Sequence, residues 1–126
     1  MELTTSRIGP WKVLTPKVER LDASVAEDFK AMLLSALADG TRNLVVHLGN
    51  VRFMDSSGLG SLVYVRQRME AGGRLCLAEP QLEVATILRL THLDKVFLVC
   101  EKVSSLREAE DAHGVPSTSN AAEVRA

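Results

Sequence analysis

Asn43 to Val63 reads NLVVHLGNVRFMDSSGLGSLV. It begins as a short β-branched apolar run suited to a buried central strand and ends as the start of a helix-like pattern. Between the two lies Asp55-Ser56-Ser57-Gly58, one carboxylate and two hydroxyls placed where a helix needs its cap. Beyond it, Leu59, Leu62, Val63 and Met69 form the expected inner stripe, with Arg66, Gln67, Arg68 and Glu70 solvated, until Gly72-Gly73 ends the helix.

Working outward, the same alternation continues. RLCLA (Arg74–Ala78) is a strand, Pro80 opens the helix PQLEVATILRL, KVFLVC is a last strand and SSLREAEDA a last helix. Upstream, Ser24 with Glu27 matches a capping box, Val25, Phe29, Met32, Leu33 and Ala36 recur at helical spacing, and Gly40 is a C-terminal stop. Before that helix, ELTTSRI and WKVLTPKV flank Gly9-Pro10 as a hairpin, with Pro16 marking an edge or irregular stretch of the second strand. Repeated strand–helix alternation calls for an α/β fold with helices packed on a sheet of four to five strands. The 13 residues from Gly114 to Ala126 are small and polar and read as a disordered tail, leaving 1–113 as the domain.

Composition narrows the function. At 126 residues, with 46% hydrophobic and 25% charged residues, the chain fits one soluble domain. A net charge of −1 provides no global field for nucleic acid or acidic membrane, and the basic residues are scattered without interleaved aromatics. No stretch approaches the roughly 20 apolar residues of a membrane span, and the amino terminus lacks a signal-peptide core. Cys76 and Cys100 sit inside apolar runs and read as buried thiols in a reduced compartment, so the expected location is the cytoplasm.

The serine pair admits four chemistries. A nucleophile elbow needs Gly-x-Ser-x-Gly, but Met54 precedes Ser56 by two and Asp55 precedes Ser57 by two; His47, His92 and His113 are also far apart in sequence. A phosphate-cradling loop needs a lysine after its glycines, which SSGLGS lacks. Asp22, Asp55 and a histidine have no metal-ligand spacing, and no cofactor is implied. A capped helix is the plain reading, yet a cap uses one side chain and three are present. A hydroxyl left over would project from the helix end. A phosphate there would be tolerated by the helix dipole and would repel a partner docked over the turn. These residues alone do not choose between Ser56 and Ser57.

The run NVRFMDSSGLGSLV, preceded by NLVVHL and followed by EAGGRLCLA, resembles the STAS domain of bacterial anti-sigma factor antagonists. RLDASVAEDFKAML resembles the family's Leu-Asp segment and first helix, and LRLTHLDKVFLVCEKVSSLREA its carboxyl end. The resemblance implies a non-catalytic binding module whose phosphorylated residue is Ser57. It implies an anti-sigma factor that is also the serine kinase, sequestered by the unphosphorylated antagonist so that a sigma factor is freed. A serine/threonine phosphatase resets the cycle. Asp22 and Asp55 match the family's acidic positions, and the expected partner contacts are Asp22, Asp55, Ser56, Gly58, Leu59 and Gly60. The alternative function is a STAS scaffold subunit with constitutive binding. Glu19, His47 and His92 depart from the family pattern, standing where it commonly has a glycine, an acid and a glycine. Oligomeric state is left open.

Overall fold

The computed structural model describes residues 1–106. β1 (Leu3–Ile8) and β2 (Trp11–Pro16) form the hairpin, running antiparallel with Ile8 opposite Trp11 across Gly9-Pro10. β3 (Arg20–Leu21), α1 (Ala26–Leu37), β4 (Asn43–His47), β5 (Phe53–Met54), α2 (Ser56–Arg68), β6 (Arg74–Ala78), α3 (Leu82–Leu90) and β7 (Leu98–Cys100) follow. Five strands make one mixed sheet in the order β1-β2-β4-β6-β7, antiparallel only between β1 and β2. This is the α/β architecture read from the alternation of elements.

Strand alternation sends side chains to two faces. Leu14, Leu44, Val46, Leu75 and Leu77 share a core with Phe29 and Leu33 of α1, Leu62 and Val65 of α2, and Val84 and Leu88 of α3. Trp11, Val13, Val45, Cys76, Ala78 and Cys100 cluster separately, with Leu106 and Val103 from the segment after β7 packed among them. β4 and β6 are thus buried on both sides, which is why their sequences are uninterrupted apolar runs. The two cysteines are free, with their sulfurs 3.5 Å apart; the hydrogen bond to Cys100 and burial raise the Cys76 thiol.

Several local expectations change. β2 is an interior strand; Pro16 fits because the β2–β4 ladder spans only Lys12–Leu14 and ends before it. The Ser24–Glu27 capping box does not form: Val25 is the N-cap, without a side-chain bond, because Asp22 captures both the hydroxyl and the backbone N–H of Ser24. Met32 is half-buried at the margin of the core. α2 ends at Arg68, before Met69 and the Gly72-Gly73 pair. Its buried line runs through Gly58, Ser61, Leu62 and Val65. Leu59 and Val63 are half-buried beside it, because the small residues at 58 and 61 bring the helix closest to its neighbours. α3 starts at Leu82, two residues after Pro80. Of KVFLVC only Leu98–Cys100 is strand, since Leu93–Lys95 forms a 3₁₀ turn. Helix is described for 104–106; the rest of the expected last helix, the domain end at 113 and the 114–126 tail lie outside the described residues.

At the carboxyl edge of the sheet, Glu79 has φ +54°, a left-handed conformation rare for a residue with a side chain. It is held there by three contacts. Its N–H donates to the Cys100 carbonyl at 2.7 Å; one carboxylate oxygen lies 3.2 Å from His47 Nε2, and the other accepts the Val103 N–H at 3.2 Å. His47 Nδ1 accepts the Gly49 N–H at 3.2 Å, so both ring nitrogens are engaged. His47 is therefore part of a clasp tying β4 and β6 to the segment after β7.

Candidate functional site

Two residues of β3 and two of β5 build a parallel ribbon apart from the main sheet, with Arg20 opposite Phe53 and Leu21 opposite Met54. Leu21 and Met54 are fully buried; Arg20 and Phe53 are exposed. Each strand then delivers an aspartate: Asp22 after Leu21 and Asp55 after Met54. The Asp55 N–H donates to the Leu21 carbonyl at 3.2 Å, which extends the pairing to the point where α2 begins. The ribbon thus brings together two aspartates that are 33 positions apart.

Asp55 is the N-cap of α2. One carboxylate oxygen accepts the N–H groups of Ser57 at 2.8 Å and Gly58 at 3.2 Å, satisfying two of the donors that a helix start leaves open. Ser56 is exposed and takes no part in that cap. Ser57 is half-buried; its carbonyl accepts the Ser61 hydroxyl at 3.1 Å, while its own Oγ has no hydrogen bond among the described residues. The buried Ser61 also donates to the Ala26 carbonyl at 3.1 Å, tying α2 to the first turn of α1.

The glycines divide by surroundings. A Cβ on Gly58 would lie 2.5 Å from the Leu21 carbonyl oxygen and 2.9 Å from Met54 Cγ, so the helix can seat on the ribbon only with glycine there. A Cβ on Gly60 would meet nothing within 4 Å. Gly60 is exposed and Leu59 half-buried, so the outward side of the first turn is a low, open surface.

Asp22 is fixed by local bonds: Oδ1 accepts the Ser24 hydroxyl at 2.6 Å and N–H at 3.0 Å, and Oδ2 accepts Arg20 Nε at 3.3 Å. These bonds, the Ser24 hydroxyl first, hold its carboxyl below the usual carboxylate range. The Arg20 guanidinium also lies over the Phe53 ring, 4.2 Å from its centre. Arg20 and Phe53 were not singled out from sequence. The signal was there: Arg-Leu-Asp and Phe-Met-Asp are the same exposed–apolar–aspartate tripeptide.

This arrangement can present a hydroxyl and a shaped surface. Neither serine is hydrogen-bonded to a histidine among the described residues: His47 is engaged in its clasp, and His92 lies at the end of α3. Asp22 and Asp55 converge, but the described residues contain no cluster of three His, Cys, Asp or Glu able to hold a metal ion. No helix among them is long and apolar enough to cross a membrane. The departures from the family pattern have local explanations. Glu19 serves the ribbon through its backbone, its carbonyl accepting the N–H groups of Arg52 at 2.8 Å and Phe53 at 3.0 Å. His92 has φ +61°, a conformation that favours the glycine the family commonly has there.

Comparison with known proteins places this geometry. The STAS domain family model matches residues 5–106. An anti-sigma factor antagonist from Mycobacterium paratuberculosis is 20% identical with a TM-score of 0.76, covering 88% of this chain and 92% of its own. An anti-sigma-factor antagonist (STAS) domain protein from Planctomyces limnophilus is 20% identical with a TM-score of 0.77, covering 86% and 97%. The Bacillus cell fate determinant SpoIIAA in its phosphorylated form is 21% identical with a TM-score of 0.61, covering 89% and 99%. At these identities the solved structures share the fold, and the family match extends over most of the sequence: the chain belongs to the STAS domain family.

Proposed function

We propose that this chain is an anti-sigma factor antagonist, a non-catalytic binding module switched by phosphorylation of Ser57. Unphosphorylated, it binds an anti-sigma factor that is also a serine kinase and so frees a sigma factor. The kinase transfers the γ-phosphoryl of ATP to Ser57 Oγ: the new P–O bond forms as the bond to ADP breaks, and the hydroxyl proton passes to the kinase's base. A serine/threonine phosphatase hydrolyses the ester and resets the module. The cycle operates in the cytoplasm.

The observation that carries this reading is the division of labour at the start of α2. Asp55 alone satisfies the N–H groups of Ser57 and Gly58, so the Ser57 hydroxyl is not needed for the cap and makes no hydrogen bond among the described residues. Partner contact is assigned to Asp22, Asp55, Ser56, Leu59 and Gly60, around the ribbon end and the first turn of α2; Gly58, expected among the contacts, is buried against Leu21 and Met54 and seats the helix beneath that surface. Support also comes from the names of the structural relatives, which include anti-sigma factor antagonists and a SpoIIAA solved in both unphosphorylated and phosphorylated forms.

Incubation with the cognate kinase and ATP tests the reading. Mass spectrometry is expected to place a single phosphate on Ser57, and Ser57→Ala to remain unmodified and stay bound. Phosphate elsewhere, or none, would overturn it. Partner binding indifferent to both Ser57→Ala and Ser57→Asp would instead identify a constitutive scaffold.

A further inference from the structure

A phosphate on Ser57 would enter an acidic neighbourhood. Asp22 and Asp55 flank the turn, and Glu19 and Glu27 are exposed at the edges of the ribbon and of α1. The helix N–H groups offer limited help, because those of Ser57 and Gly58 already donate to Asp55 and that of Leu59 to the Asp55 carbonyl. A dianion of about −1.5 to −2 charges therefore needs a cation.

Lys30 of α1, Arg20 of β3 and Arg52, just before β5, are the basic residues weighed as partners for that charge. Lys30, on α1, is occupied by Glu27 at 3.4 Å and by the Tyr64 ring at 4.5 Å. Arg52 precedes β5 and lies outside the ribbon register, in which Arg20 is the residue opposite Phe53. Arg20 is in phase with Asp22, lies across the ribbon from Phe53 and already reaches into the cluster. Its side chain is 62% exposed and its bond to Asp22 is long at 3.3 Å, so its present position is weakly held. Asp22 would keep the Ser24 hydroxyl and N–H on its other oxygen after losing Arg20. A guanidinium binds phosphate through two parallel N–H bonds, a better partner than one carboxylate oxygen at that distance.

We propose that Arg20 is the phosphate-binding residue of the modified protein, moving from Asp22 and the Phe53 ring to the phosphorylated Ser57. The inference rests on the assignment of Ser57 as the modified residue. Transfer of Arg20 leaves the Phe53 ring without its cation and Asp22 bonded to Ser24 alone. The modification thereby alters the partner surface on the ribbon as well as at the helix end.

The test installs phosphoserine at position 57 during translation, so that no kinase is required, and titrates the phosphate by phosphorus NMR. The readout is the difference between variants, because relative to free phosphoserine, at about 6, the flanking carboxylates raise the second ionisation and Arg20 lowers it. Arg20→Gln is expected to raise it by about 0.5 unit or more, with Arg20→Lys falling between, because a nearby cation favours the dianion. Arg52→Gln should leave it within about 0.2 unit. Equal values with and without the Arg20→Gln substitution, or a larger effect from Arg52→Gln, would overturn the proposal. Backbone amide spectra of the variants verify the fold. Because phosphoserine is introduced directly, failure here leaves the kinase assay on Ser57 standing, and failure of that assay leaves this measurement interpretable.

Discussion

Two strand-to-helix turns at the same end of the molecule use their carboxylates in opposite ways. At the β5–α2 turn, Asp55 bonds the N–H groups two and three residues ahead of it, and the serine hydroxyls are left outside. At the β6–α3 turn, Glu79 reaches His47 and Val103, from opposite directions along the chain, and Gln81 donates to the Gly49 carbonyl at 2.8 Å. The first turn is locally self-sufficient and keeps a free reactive group. The second commits its polar groups to long-range ties and holds Glu79 in a left-handed conformation to do so. The first construction suits the proposed switch, because altering it breaks few tertiary bonds.

The comparison can be broken most forcefully at the seat of α2. Gly58→Ala places a Cβ against the Leu21 carbonyl and Met54, and is expected to destabilise the fold by about 3 kcal/mol in urea denaturation. Gly60→Ala, two residues on and in open space, is expected to stabilise by about 0.5–1 kcal/mol through helix propensity alone. Equal effects at 58 and 60 would mean that the close approach of ribbon and helix is wrong.

The Glu79 clasp comes next. Glu79→Ala loses its bonds to His47 and Val103 and is expected to cost about 2 kcal/mol. Glu79→Gly loses the same bonds but removes the left-handed strain, and should recover about 1 kcal/mol of that loss. At the β5–α2 turn, Asp55→Ala is expected to cost about 1 kcal/mol, the usual value of an N-cap. A loss from Asp55→Ala exceeding that from Glu79→Ala would reverse the distinction between the local turn and the long-range one.

The smallest effect is one of pH. Asp22 has a folded pKa below the ordinary carboxylate value, so its contribution is complete above that ordinary value, near 4, and is lost as pH falls through the lower folded one. Ser24→Ala removes the foremost cause of the depression. In a carbon-detected NMR titration the Asp22 carboxyl should therefore titrate at higher pH in the Ser24→Ala variant than in wild type. An unchanged midpoint would show that the hydroxyl does not set it.

Legibility from sequence followed the range of each interaction. The sheet and its helices could be read because β4 and β6 are buried on both faces and α1 repeats its apolar residues at helical spacing. A cap at Asp55 and Ser56 was legible because its bonds span two and three residues; the structure gives it to Asp55 alone and leaves Ser56 outside. Ser24 was misread for a related reason: Asp22, two residues upstream, outcompetes the helix for the same hydroxyl. The β3–β5 ribbon escaped notice, since two residues per strand carry no detectable period, and with it went Arg20 and Phe53. The buried line of α2 was misplaced because a stripe of large apolar residues was sought, whereas the closest contact is made by Gly58 and Ser61. The contact between Glu79 and His47 gave no signal either, as their pairing exists only once β4 and β6 lie side by side.

The central claim is that the start of α2 accepts a negative charge at Ser57 and turns off partner binding without loss of the fold. Ser57→Asp, compared with wild type in urea denaturation and in calorimetric titration against the proposed kinase partner, measures both halves at once. A stability within about 1 kcal/mol of wild type is predicted, with the helix dipole and the nearby Arg20 offsetting the flanking carboxylates, and binding weakened at least about tenfold. Undiminished binding, or a stability loss of more than about 2 kcal/mol, would contradict it.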